Sequence, residues 1–335
     1  MSRSQQDRSR VINRRRFIAI SATLGGAAML PRLAADREPR SYSWRGVALG
    51  AEASLTLQHH NEALAKAAIA ASLSEVARLE AIFSLHRPDS ALMRLNTTGR
   101  LDEAPADLRI LLTEALDLAE RSNGAFDPTI QPLWALYARH FSDADANGDG
   151  PDRASIEKTL HRVGWGKVRI EGASISFVEP GMALTLNGIA QGYITDKVGD
   201  LLRARGFEHV LVNMGEQLAL GPKWGGTAWR VAIADPNNAH AVLTTLDVGQ
   251  GAVATSAGAG FRFDTAGRFT HILDPRSGLP ARHWCSVTVL ASRATLADGL
   301  STALSVVPAK VAKNLLDDAV SAYFVPIGTR SGFWR

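Results

Sequence analysis

The chain has 335 residues, 46% apolar and 21% charged, with nine histidines and one cysteine. That apolar share is ample for a packed core of one large or two modest domains. The formal charge is +4, but residues 1–35 carry seven arginines and one acid, a local +6. The remainder therefore sums to −2, which leaves nucleic acid without the basic body it needs as a partner.

The leader reads Asn13-Arg14-Arg15-Arg16-Phe17-Ile18, then an apolar small-residue run from Ala19 to Leu30, then Leu33-Ala34-Ala35. A twin arginine ahead of a bulky apolar pair and a modest apolar run resembles a Tat export signal. The run is short for a transmembrane helix, and no later segment is long and apolar enough to span a bilayer. The expectation is a signal peptide over 1–35 and a domain over 36–335, placed in the periplasm and soluble or peripheral to the inner membrane.

Along the domain, a strand-like run at 52–58 precedes residues 61–83, where Ile69, Leu73, Val76, Leu79 and Phe83 repeat at helical spacing. Residues 107–122 also read as a helix. The acidic loop Asp143–Gly150 starts like an EF-hand, but its twelfth position is Ala154 where a bidentate glutamate is needed, so a solvated loop is expected. A strand-like stretch covers 167–177. Residues 189–205 read as a helix ended by Gly206, and strands are expected at 208–213, 229–234, 252–255 and 284–291. Cys285 lies in the last of these as a small core residue; as the only cysteine it cannot form an internal disulfide. Helices and strands alternate without a regular βαβ rhythm. That predicts a single α+β domain with a mixed or antiparallel sheet flanked by helices.

Three glycine-containing turns could approach a nucleotide: 124–129, 186–193 and 254–260. None is a Rossmann or Walker A loop. Gly188, at the mouth of the 189–205 helix, is the best anion candidate, because free N–H groups and the helix dipole favour phosphate there. His271 ends an apolar run and leads into the turn Asp274-Pro275-Arg276-Ser277-Gly278, a place that holds a side chain rigidly at a cleft edge. Asp298 and Thr302 stand at i and i+4, one helix face, and their oxygens suit Mg2+. A base beside Mg2+ points to phosphoryl chemistry. The same residues also suit a structural turn histidine and a buried capping aspartate.

In order, Phe83-Ser84, Asp89-Ser90, Leu95-Asn96, Gly124–Thr129, Gly188–Tyr193, Val212–Gly215, Ala254–Ser256, His271–Pro275 and Ala297-Asp298 resemble the ApbE-type FAD:protein FMN transferases, over nearly all of residues 45–325. The leader and Leu186-Asn187-Gly188 are most similar to a NosX-like branch associated with nitrous oxide reduction. The resemblance implies Mg2+ held by Asp298, Thr302 and the Gly188 carbonyl. It implies FAD contacts from Leu49, His86, Ala125, Phe126, Asp127, Thr185, Gln191 and Leu273, and makes His271 the base. A threonine hydroxyl on an acceptor flavoprotein domain, such as a membrane protein of nitrous oxide reduction, would attack the FMN phosphorus of FAD and release AMP. FAD pyrophosphatase activity, or a non-catalytic flavin-binding assembly factor, are the alternatives. The chain departs from the family pattern at His86 (usually Tyr), Thr185 (commonly Asp), Gln191 (usually Lys or Glu), Ser301 (acidic or Ala) and Glu216 (commonly Gly).

Overall fold

The computed structural model describes residues 38–48, 50–143, 145–329 and 331–335; the leader and Leu49 lie outside the described residues. An eight-stranded sheet organises them. Its strands are β1 (Arg40–Ala48), β2 (Ala51–His59), β6 (Val210–Asn213), β7 (Gln217–Ala219), β10 (Gly251–Ala257), β11 (Trp284–Ala291), β12 (Ser321–Pro326) and β13 (Phe333–Trp334), hydrogen-bonded in that order. Every pairing in it is antiparallel, which resolves the expectation of a mixed or antiparallel sheet. Two small antiparallel units complete the strands: β3 (Arg100–Leu101), β5 (Ser174–Phe177) and β4 (Val168–Glu171), and the hairpin β8 (Trp229–Asp235) with β9 (Asn238–Val248).

The helices are α1 (Glu62–Phe83), α2 (Ala91–Thr98), α3 (Ala106–Arg121), α4 (Gln131–Ser142), α5 (Arg153–Leu160), α6 (Ala190–Ala204), α7 (Ala294–Val306) and α8 (Ala309–Ala312). Alternation along the central strands sorts their side chains onto two faces. Val210, Val212, Leu218, Ala252, Ala254, Val287 and Val289 join α1, α6 and α7 in the main core. Leu211, Ala219, Val253 and Leu290 point the other way and meet the β8–β9 hairpin through Trp229, Val231 and Val248. A satellite cluster of Leu133, Tyr137, Ile156, Val163 and Leu273 fastens the 258–283 loop to α4 and α5.

Two local expectations need correction. The 167–177 stretch is a tight hairpin, broken where Gly172 takes φ +60°. Cys285 is half-buried rather than core, because the β11–β12 register shifts between Trp284 and Ser286 and the thiol sits at that irregularity. The 143–150 loop is a run of turns tied down by Arg268, which meets Asp149 and the Gly148 carbonyl.

Candidate active site

The site forms where α6 and α7 cross beneath the ends of β7 and β10. The helices meet at Gly192, where a Cβ would lie 2.3 Å from the Ala294 carbonyl oxygen and 2.8 Å from Asp298 Cβ; only glycine allows this approach. The first turn of α7 has no side-chain cap of its own. Asp196 of α6 supplies one, accepting from the N–H groups of Ala294 at 2.8 Å and Thr295 at 2.9 Å. This long-range cap sets the rotation of α7 and so the direction of its functional face.

That face carries Asp298, Ser301 and Thr302. Asp298 is 4% exposed, and its Oδ2 accepts from the Gly192 N–H at 2.9 Å. The anion facing the start of α6 is therefore Asp298 itself. The backbone N–H groups of Ile189 and Ala190 are occupied by the Leu186 carbonyl, so the free N–H cradle expected there for phosphate is largely used up. Burial pushes the Asp298 carboxyl up to about 7, against the Gly192 hydrogen bond that favours its charge. Thr302 Oγ1 donates to the Gly188 carbonyl at 3.3 Å. Ser256 Oγ of β10 lies 2.7 Å from Ser301 Oγ and 3.2 Å from Thr302 Oγ1. A second buried carboxylate, Glu216, joins from the β6–β7 turn; burial first, then the charge of Asp298, hold it well above its usual range.

The donors therefore fit Mg2+. All are oxygens, neither carboxylate is ion-paired among the described residues, and neighbouring oxygens in an Mg2+ shell stand about 3 Å apart, close to the Thr302–Gly188 separation. The described residues hold no group of three or more His, Cys, Asp or Glu side chains placed for a metal. A cation here would draw on neutral oxygens beside the two carboxylates.

His271 is half-buried. Its Nδ1 lies 3.1 Å from the Phe261 carbonyl, and its backbone N–H reaches the same oxygen at 3.2 Å. A carbonyl only accepts, so Nδ1 carries the proton and Nε2 keeps a free lone pair. Burial lowers the imidazole pKa, opposed by the Phe261 bond, and keeps the ring neutral near pH 7. The brace is thus Phe261, not the expected Asp274-Pro275. The Asp274 carboxylate is taken by Arg276 at 2.8 and 2.9 Å, and its backbone closes the turn through Leu279 and Gly278. A Cβ on Gly260 would lie 3.6 Å from the imidazole Cε1. Gly260 is four residues after Ser256, so the imidazole is anchored within about 14 Å of chain from the oxygen cluster.

The remaining expected positions fall into three groups. Phe126 and Gln191 adjoin the cluster: a Cβ on Gly188 would lie 3.4 Å from the Phe126 ring, and one on Gly215 would lie 2.6 Å from Gln191 Cδ. Ala125 is buried in the main core, and Thr185 is held with its N–H on the Pro128 carbonyl at 2.8 Å and its Oγ1 accepting from the Asn187 N–H. Asn96 holds this segment by bonding both the N–H and the carbonyl of Leu184, at 2.7 and 2.8 Å. Asp127 and Leu273 serve the interior. Asp127 accepts from Thr129 and Trp165 through its carboxylate and from the Ile130 N–H through its carbonyl, and the Leu273 side chain is buried in the satellite core. His86 is exposed beyond α1 with no contact to the cluster among the described residues, and Leu49 lies outside them.

The antiparallel α+β domain thus carries a buried cluster of hydroxyl, carbonyl and carboxylate oxygens and, on the loop that follows β10, a neutral histidine. The profile of the ApbE family matches residues 49–324, and the chain belongs to that family. An FAD:protein FMN transferase of Treponema pallidum is 32% identical over 262 residues, 71% of each chain. The ApbE protein of Thermotoga maritima superposes with a TM-score of 0.77 at 28% identity, over 88% of this chain and 96% of that one. An apo flavinyl transferase ApbE from Pseudomonas stutzeri does so at 0.76 with 27% identity, over 90% and 96%.

Proposed function

We propose that the chain is an Mg2+-dependent FAD:protein FMN transferase that moves FMN from FAD to a threonine hydroxyl of an acceptor flavoprotein and releases AMP. The observation that carries this is the pairing of a tautomer-fixed neutral His271 with the oxygen cluster of Asp298, Thr302, Ser256 and Gly188. The names of the similar proteins, FAD:protein FMN transferase and flavinyl transferase, support the substrate pair.

Mg2+ bound by Asp298, Thr302 and the Gly188 carbonyl would neutralise pyrophosphate charge. His271 Nε2 takes the proton of the incoming hydroxyl as its oxygen bonds to the FMN phosphorus, and the P–O bond to AMP breaks. Phe126 and Gln191, beside Gly188 and Gly215, flank the path to the phosphates. The Tat-type leader supports export and a periplasmic acceptor, and its likeness to the NosX-like branch supports an acceptor in nitrous oxide reduction.

Weighing a threonine-bearing acceptor domain after incubation with the chain, FAD and Mg2+ tests the proposal. A mass gain equal to FMN with equimolar AMP is the expected result. FMN plus AMP with an unmodified acceptor would instead establish pyrophosphatase activity, with water as nucleophile.

A further inference from the structure

Glu216 is buried beside the proposed cation ligands without being one of them. It lies in the turn between β6 and β7, 9% exposed. Three contacts fix it. Its Oε2 accepts from the Thr255 N–H at 3.2 Å, and its carbonyl accepts from Thr195 Oγ1 of α6 at 3.1 Å and from the Met214 N–H at 3.2 Å. Among the described residues no hydrogen bond reaches its Oε1 or the Oδ1 of Asp298, and no basic side chain pairs with either group. Thr255 adjoins Ser256, whose hydroxyl touches Ser301 and Thr302, and Glu216 lies near enough to Asp298 to feel its charge. Two buried carboxylates without a counter-charge are costly when ionised, so they hold protons until a cation neutralises them.

We propose that Glu216 contributes the second negative charge that holds the divalent cation at Asp298 and Thr302, and so sets the affinity of the site. This rests on the Mg2+ reading above. An architectural role competes with it. The β7–β10 pairing runs only from Gly251↔Ala219 to Val253↔Gln217, and the Glu216 carboxylate satisfies the Thr255 N–H just beyond that ladder.

Two variants separate charge from architecture. E216Q keeps an oxygen for the Thr255 N–H and loses the charge; E216D keeps the charge and shortens the reach. Mn2+ affinity is measured on the full chain without FAD, by electron paramagnetic resonance of the free ion. Melting in EDTA checks that each variant is folded. E216Q is expected to weaken Mn2+ binding about 10–100-fold, the range for losing a charged group beside a metal's ligands, with E216D between it and the wild type. Wild-type affinity in E216Q, or E216D binding more weakly than E216Q, overturns the proposal while leaving the Mg2+ reading intact. A wild-type chain that binds no Mn2+ overturns both.

Discussion

Replacing Asp298 with Asn should stabilise the cation-free protein at high pH. Burial raises the folded-state pKa from the ordinary 3.8 to about 7. Below pH 3.8 the carboxyl is protonated in both states and contributes nothing. Between 3.8 and 7 the unfolded chain releases the proton and the folded chain keeps it, so stability falls as pH rises. Above 7 the full penalty is present. A difference of about 3 units at about 1.4 kcal/mol each gives roughly 4 kcal/mol. Asn is a neutral isostere whose Oδ1 can still accept from the Gly192 N–H. In EDTA at pH 8, D298N should melt above the wild type by on the order of 10 °C, with the gap closing toward pH 4. Mg2+ should narrow the gap to about 1 kcal/mol. A cation that binds only the folded wild type adds about 2.7 kcal/mol at a hundred times its Kd, and D298N should not respond. The measurement is thermal melting from pH 4 to 8, with EDTA and with Mg2+. Parallel melting curves across that range, or an equal Mg2+ response from both proteins, would refute the argument.

His271→Ala should lose about 10²–10⁴-fold in single-turnover transfer while FAD binding stays unchanged. Because burial depresses the imidazole pKa, the wild-type rate at saturating Mg2+ should fall with decreasing pH only below about 6.5; a midpoint above that value under those conditions contradicts a neutral base. Gly192→Ala should cost about 1–3 kcal/mol, since its methyl would meet the Ala294 carbonyl at 2.3 Å, and the melt should lose its Mg2+ response as α6 draws away from Asp298. Arg14→Lys with Arg15→Lys should leave the precursor in the cytoplasm, checked by fractionation; normal periplasmic accumulation would point to another export route.

Periodicity located what depends on neighbours in sequence. The helix expected at 189–205 is α6 at Ala190–Ala204, and the strand at 284–291 is β11. The i, i+4 pair on α7 was visible for the same reason. Features missed by that reading depend on chain crossings. Asp196 caps α7 from 98 residues away, and Glu216 reaches the site only because β7 stops where β10 continues. The brace on His271 comes from Phe261, ten residues upstream, where no local spacing rule applies. Motif order nominated candidate residues, while the packing brings Glu216 near Asp298.

The arrangement at Asp298 also links cation binding to proton release. The carboxylate sits near the N-terminal end of α7 and accepts from the first turn of α6, so two helix N-termini favour its charge. Burial and the nearby Asp196 oppose that charge, and burial is the larger effect. The balance holds the carboxyl up to about 7, so the proton is retained at pH values where a free carboxylate has lost it. A divalent ion must displace that proton, so binding below pH 7 releases acid and weakens as the pH falls. His271 shows the opposite sign: burial without a second charge keeps it neutral and able to take a proton over the same range. Desolvation therefore favours the uncharged form of both groups, the protonated carboxyl of Asp298 and the neutral imidazole of His271.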